Sequence, residues 1–385
     1  MKVLVLNAGS SSLKAALREF GPGPVPYSPP PPLWESQLAW DGERRADIVR
    51  RLVESLWTGA KKVVDTPRQI DVVGHRVVHG GKRFVEPAAI TPEVLAEIRK
   101  YAELAPEHNR IELEVMEASR QVLDSNVPQV AVFDTAFHGT LPLAARVYPG
   151  PYAWYEQGIE RFGFHGISHQ YCARRAAEIL GRELDGLKLV SCHLGNGASL
   201  AAVRDGRSVD TTMGFTPLEG LMMGSRSGSI DPGILVYLAR HCGYTASKLD
   251  ELLNEESGLK GVSGISSDMR EIVKAMDRGD ERAHLAFDIY THRLCREIGG
   301  MVASLGGIDA LAFTAGVGEN TPLLRTGICG QLGFLGIRLD EHRNASAPRD
   351  VDVSLANSQV RVLVIHTNEE WEIACECCRL LQKER

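Results

Sequence analysis

The chain has 385 residues, 44% of them hydrophobic and 24% charged, which is enough apolar material for two cores and is not the composition of a disordered protein. Its 43 basic and 49 acidic residues leave a net charge of −6, with no basic excess to hold a nucleic-acid backbone. No run of about 18 clean apolar residues occurs, so a membrane span is not expected. Val3–Leu6 is a short apolar run, interrupted by Asn7 and followed by the Gly/Ser turn Ala8–Ser12. With Leu13–Leu17 it predicts a β-hairpin rather than a signal peptide. Phe20–Pro32 (FGPGPVPYSPPPP) ends in four consecutive prolines. These exclude helix or central strand and predict a stiff, extended surface loop.

Amphipathic spacing predicts helices over Asp47–Trp57 and Pro92–Leu104. Ile70–Val78 and Gln129–Phe133 read as buried strands, the second ending at Asp134. A second strand–turn–strand follows over Lys188–Val203 (KLVSCHLGNGASLAAV). Its Ser199–Val203 matches Ser12–Ala16 at an offset of 187 residues, 199 minus 12, about half the chain. The match points to a duplicated α/β unit. A third strand with a Gly turn is expected over Ala310–Asn320. A fourth strand, Val360–His366, precedes Thr367–Glu370 and a C-terminal helix. Strands that end in Gly turns and alternate with helices place ligands at the strand ends.

The familiar phosphate motifs are absent. There is no GxxxxGK[ST], and Gly195-Asn-Gly197 and Gly316-Val-Gly318 both lack the third glycine of a dinucleotide fingerprint. Neither HExxH nor GxSxG occurs. The eight scattered cysteines form no paired CxxC, and Cys375-Glu-Cys-Cys378 reads as reduced thiols on the last helix. Several polar Gly turns at strand ends nevertheless fit phosphate binding through backbone N–H groups. Arg76 stands inside a buried-looking strand and needs a partner, either a structural carboxylate or an anionic ligand. Arg226 lies in the Gly-flanked turn Met223–Gly228, and His165 lies between Gly163 and Gly166. Asp134 and Glu369 end strands, where a Mg2+ ligand of a nucleotide enzyme is usually found. Asn7 and Lys14 flank the first turn.

Eight segments together carry a resemblance. They are Leu6–Lys14 (LNAGSSSLK), Gly74–Gly81 (GHRVVHGG), Phe133–His138 (FDTAFH), Gly163–His169 (GFHGISH), His193–Gly197 (HLGNG), Met213–Gly220 (MGFTPLEG), Phe313–Asn320 (FTAGVGEN) and Thr367–Glu370 (TNEE). In this order, over nearly the whole chain, they resemble the acetate kinase family. The resemblance implies an α/β protein of two similar domains with the duplicated actin-like ATPase fold, and an active site in the cleft between them. The domains are expected at 1–135 plus 371–385 and at 136–370.

The implied reaction is reversible transfer of the ATP γ-phosphoryl group to acetate, giving acetyl phosphate and ADP. A propionate or butyrate kinase is the alternative within the family, and a non-catalytic ATP-dependent switch is the alternative outside it. The resemblance makes Asp134, His165 and Arg226 catalytic. Arg76 would hold the acetate carboxylate, with Val78, Leu104 and Pro217 as apolar walls around the methyl group. The implied ATP cradle comprises Ser10, Ser12 and Lys14, then His193, Leu194, Gly195, Asn196 and Gly197. It continues with Asp268, Met269 and Arg270, and with Gly316, Val317, Gly318, Glu319 and Asn320. Asn7 and Glu369 would serve Mg2+, with Mn2+ able to substitute. Acetate is already ionised at neutral pH, so no general base is needed in the forward direction, and an electrostatic or Mg2+ role is expected for Asp134. Acetate and ATP are the expected partners, together with a second copy in a homodimer, without nucleic acid or membrane, in the cytoplasm. The sequence departs from the family pattern at Glu107, Arg110, Ser229 and the proline segment.

Overall fold

The computed structural model describes residues 1–9, 12–23, 25–26, 28–40, 42–60, 62–101, 106–123, 126–346 and 349–383, and the side chains of 106–108 also lie outside the description. Two of the expected site residues, Ser10 and Leu104, fall outside the described residues. By contacts the chain divides into two compact units. Unit 1 is Met1–Gly139, Phe164–Tyr171 and Asn368–Arg385, and unit 2 is Thr140–Gly163 and Cys172–Thr367.

Unit 1 is built on a sheet of β1 (Lys2–Ala8), β2 (Ser12–Glu19), β3 (Trp34–Ala39), β4 (Val72–Val77), β5 (Ala88–Ala89) and β6 (Gln129–Phe133), in the order β3-β2-β1-β4-β6-β5. The β1–β2 hairpin pairs Leu4 with Leu17 and Leu6 with Ala15. Alternation then sends Leu4, Leu6, Leu13 and Leu17 to one face. There they pack with Val49 and Leu52 of α1 (Arg45–Glu54) and Ile111 and Val115 of α3 (Pro106–Val122). A second cluster joins Val77, Phe133, Ile98 of α2 (Pro92–Tyr101) and Met116 of α3. The C-terminal helix Glu369–Lys383 packs against β1, β2, β4 and β6. Its approach is so close that a Cβ on Gly74 would lie 2.7 Å from Cys377 Sγ and 2.8 Å from Ile373 Cγ2, which is why β4 carries glycine there.

Unit 2 holds β7 (Lys188–Leu194), β8 (Ala198–Arg204), β9 (Arg207–Thr211), β10 (Ala310–Thr314), β11 (Val351–Asp352) and β12 (Arg361–Val364), in the order β11-β12-β10-β7-β8-β9. Read from the other edge this is the topology of unit 1. In each sheet the first three strands are antiparallel, the next two parallel, and the last edge strand antiparallel. The 25-residue helix Glu281–Leu305 lies against β7, β8 and β9.

The duplication expected from the hairpin match is therefore present in the strand topology, with a slip. The ladders close at Ala8–Leu13 and Leu194–Ala198, so the equivalent positions differ by 185 residues there, 198 minus 13, not 187. A slip of two keeps every side chain on its face, so the sequence match survives it. One expectation is corrected: β10 leads not into a Gly turn but into a helical turn, Ala315–Asn320. Both neighbours of β10 are parallel, and a strand with parallel neighbours must leave through a crossover.

Candidate active site

In unit 1, β1, β2, β4 and β6 bring four of the expected residues to one sheet end. Asn7 lies directly across the ladder from Lys14, and one step beyond the Leu6–His75 pair it adjoins Arg76. Asn7 is buried and its Nδ2 donates to Glu369 Oε2 at 3.1 Å and Glu370 Oε1 at 2.9 Å. Its Oδ1 accepts from Arg76 Nη1 at 3.4 Å. Arg76 donates from Nε and Nη2 to Asp134 Oδ2, at 3.0 and 2.6 Å. Burial works against the Arg76 charge, but Asp134 and Glu369 outweigh it and hold the guanidinium more firmly protonated than usual. Burial pushes the Asp134 carboxyl up, to about 6, with Arg76 pulling the other way.

Asp134 Oδ1 is buried and has no hydrogen-bond partner among the described residues. Two carboxylates sharing one amide, beside an unpartnered carboxylate oxygen, are the hard donors that Mg2+ takes. Among the described residues no group of three His, Cys, Asp or Glu is placed to hold a metal ion by itself.

His165 belongs to unit 1 and has φ 57°, a left-handed conformation that costs a residue with a Cβ about 1–2 kcal/mol. It is held by the next residue. Gly166 N donates to Asp134 O at 2.8 Å, and a Cβ on Gly166 would stand 2.1 Å from that oxygen. The strain thus tethers His165 beside the strand end that carries Asp134. Ser12 opens β2, and Lys14 is exposed on it.

In unit 2, Gly195, Asn196, Asp268, Met269, Arg270, Gly316, Val317 and Asn320 line one cavity of about 660 Å3, together with Ser267 and Thr321, which the sequence reading did not pick out. His193, Leu194, Gly197, Gly318 and Glu319 are not on its lining. Leu194 is a core strand residue with no exposed surface. Glu319 turns to His366 Nδ1 at 2.6 Å and Thr367 N at 3.1 Å. Burial pushes the Glu319 carboxyl up, but these bonds outweigh it and keep it below its ordinary value. Asp268 accepts from Arg270 N at 2.9 Å as the cap of the helix Met269–Asp277, and its Oδ2 meets Arg270 Nη2 at 2.6 Å.

Arg226 sits in a loop pinned by close backbone approaches. Met223 N donates to Arg226 O at 3.1 Å, and Gly224 N donates to Asn196 O at 2.9 Å. A Cβ on Gly224 would lie 2.1 Å from Asn196 Oδ1, so the Arg226 turn rests directly on the loop that lines the cavity. Arg226 Nη1 donates to Pro217 O at 3.4 Å. Ser229 receives Gly220 N on its hydroxyl at 3.0 Å and closes the same loop.

Two residues that sequence reasoning missed stand next to these. Glu112, on α3, is buried and receives Val78 N on both oxygens, at 3.2 and 3.1 Å. Residues 110–117 read RIELEVME, with Glu112, Glu114 and Glu117 alike, so no sequence signal singles Glu112 out. Arg18, also buried, donates to Pro30 O at 2.7 Å and Asn368 Oδ1 at 3.3 Å and covers the Trp371 ring at 5.7 Å. Ending the second strand at Leu17 left it out of view.

Comparison with known proteins identifies the family and the fold. The model of the acetokinase family matches residues 35–375. An acetate kinase of Gloeobacter violaceus is 56% identical over 405 residues, covering 100% of both chains, and one of Trichormus variabilis is 52% identical over 406 residues with the same coverage. The crystal structure of Porphyromonas gingivalis acetate kinase superposes with a TM-score of 0.88 at 39% identity, covering 99% of each chain. A propionate kinase from Francisella tularensis gives 0.87 at 35%, covering 97% of this chain and 98% of that one. The fold is the duplicated actin-like ATPase type, and the chain belongs to the acetokinase family.

Proposed function

We propose that the protein is an ATP:acetate phosphotransferase. An acetate oxygen attacks the γ-phosphorus of ATP, the bond from that phosphorus to the bridging oxygen breaks, and acetyl phosphate and ADP result. The observation that carries the reading is Arg76. Three of its five N–H donors are engaged by Asp134 and Asn7, and two remain for a planar carboxylate. Its side chain keeps 14% exposure.

Arg76 neutralises the acetate charge as it nears the phosphates, and Asp134 orients Arg76. Val78 and Pro217 border the methyl group. His165 and Arg226 stabilise the charge on the transferring phosphoryl oxygens, in a reaction that asks for positioning and positive charge more than covalent help. Lys14 meets the phosphates as a point charge. The nucleotide occupies the cavity of unit 2. Mg2+, or Mn2+ in its place, would be held by Asn7 and Glu369 with Asp134 adjacent, and when bound it neutralises phosphate charge. The assignment of 1–135 plus 371–385 and 136–370 as the two domains belongs to the same reading, and the compact units differ from it at 136–139, 164–171 and 368–370, which join unit 1.

The protein is further proposed to be a cytoplasmic homodimer. None of the eight cysteines is in a disulfide, which supports a reducing compartment, and no described helix is long and apolar enough to cross a membrane. The helix Pro232–His241 has no buried residue and exposes Ile234, Val236 and Tyr237, which supports contact with a second copy. Hydroxamate trapping of the acyl phosphate with acetate, propionate and butyrate tests the activity. Acetate is expected to give the highest kcat/KM. No product with any of the three would refute the reading.

A further inference from the structure

The backbone just past Arg76 is held from outside its own sheet. β4 ends at Val77, whose carbonyl accepts from Asp134 N at 2.9 Å. The next two amides, Val78 N and His79 N, have no strand partner, and a buried amide needs an acceptor. Both acceptors come from α3. Glu112 takes Val78 N on its two oxygens, at 3.2 and 3.1 Å, and Asn109 Oδ1 takes His79 N at 3.2 Å. Asn109 Nδ2 returns a bond to His79 O at 3.2 Å. Residues three apart share one helix face, so one stretch of α3 pegs two consecutive peptide units. The ring of His79 is fixed as well, stacked on Tyr101 at 5.6 Å and accepting from Gly81 N on Nδ1 at 3.0 Å.

A carboxylic acid is an expensive choice for such a peg. Glu112 is 1% exposed and has no ion-pair partner within 4.0 Å among the described residues. Burial pushes its carboxyl up, to about 8, with the Arg76 charge only partly offsetting this.

We infer that Glu112, seconded by Asn109, is a positioning residue that fixes the Val78 wall and thereby sets which acyl chain length fits beside Arg76. The inference rests on the proposed acetate-binding role of Arg76 and Val78. With the peg gone, Val78 recedes and room opens for an added methylene, whereas the nucleotide cavity, built wholly from unit 2 residues, is untouched.

The test is the ratio of kcat/KM for propionate to that for acetate, with KM for ATP measured alongside. In Glu112→Ala the ratio is expected to rise by about tenfold, the usual scale for one methylene in an apolar pocket, through the carboxylate KM and without change in the KM for ATP. Glu112→Gln, which keeps an acceptor at the same reach, should return the ratio to the wild-type value. Glu112→Asn shortens the peg by one methylene and is the substitute if the alanine variant does not fold; it should shift the ratio in the same direction. An unchanged ratio in folded Ala or Asn variants of an acetate-active protein overturns the inference alone. A wild-type protein that phosphorylates none of the short carboxylates overturns the parent reading and this inference with it.

Discussion

Arg76 gives Asp134 two hydrogen bonds, both to the same oxygen, and the other oxygen of that buried carboxylate has no partner among the described residues. The pair is thus half of a larger arrangement: a guanidinium with donors to spare and a carboxylate with an oxygen to spare. Arg76→Leu should raise the KM for acetate by at least thirtyfold, because losing a desolvated charge partner costs on the order of 2–5 kcal/mol. Steady-state kinetics with each substrate varied in turn checks this. A rise in the KM for ATP with that for acetate unmoved would assign Arg76 to the nucleotide.

Arg226→Ala is expected to lower kcat by about a hundredfold or more, roughly 3 kcal/mol, with a far smaller change in the KM for acetate. The turn that carries Arg226 is pinned to Asn196 by the Gly224 contact, so the substitution removes the charge without releasing the loop. Near-normal kcat in a folded variant would remove Arg226 from the reaction.

His165 offers a comparison between two variants. At φ 57° alanine is strained and glycine is not, so His165→Gly should be more stable than His165→Ala by about 1 kcal/mol. Both should lose kcat alike, since neither carries an imidazole. Chemical denaturation and kinetics on the pair separate backbone strain from side-chain chemistry.

Glu112 also predicts a pH dependence of stability. Its carboxyl lies at about 8 in the folded chain against an ordinary 4.5, so its stabilising contribution is complete below about pH 4.5 and is lost as pH rises through about 8. Glu112→Gln removes that loss. Denaturant midpoints of wild type and variant should therefore diverge from pH 5 to pH 8.5 in favour of the variant, and parallel curves would show that Glu112 stays ionised.

The proline segment divides in two. Replacing residues 22–28 with a short Gly linker should leave kcat within a few-fold, because a surface loop is shortened at small entropic cost. Pro30 O is the acceptor for Arg18, which in turn supports Asn368, whose Oδ1 accepts from Trp371 N at 3.0 Å at the start of the C-terminal helix. Arg18→Met should therefore destabilise unit 1 by about 1–3 kcal/mol, the range for a buried charged hydrogen bond. Thermal melts of both variants test the division.

The strands that carry the site were legible because they are apolar runs bounded by Gly turns, and Gln129–Phe133 is observed at the bounds read from its pattern. The turn after Ala310–Thr314 was misjudged, because whether a strand has parallel or antiparallel neighbours is not written in its own residues. Glu112 was not legible as a peg, since its partner is a backbone amide 34 positions away that becomes an orphan only once β4 ends at Val77.

The sequence by itself determined the family, the duplicated α/β plan and the residues of each motif, because turn glycines, strand alternation and the charged residues within them are local and survive a slip of two positions. Only the tertiary structure decided which of those residues face one another. It placed Asn7, Arg76 and Asp134 in one hydrogen-bonded row, drew Asn196, Asp268 and Gly316 around one cavity, and turned Glu319 away to His366. Such pairings join positions tens to hundreds of residues apart. They are fixed by strand order and helix packing, which bury some polar groups and thereby oblige them to find partners.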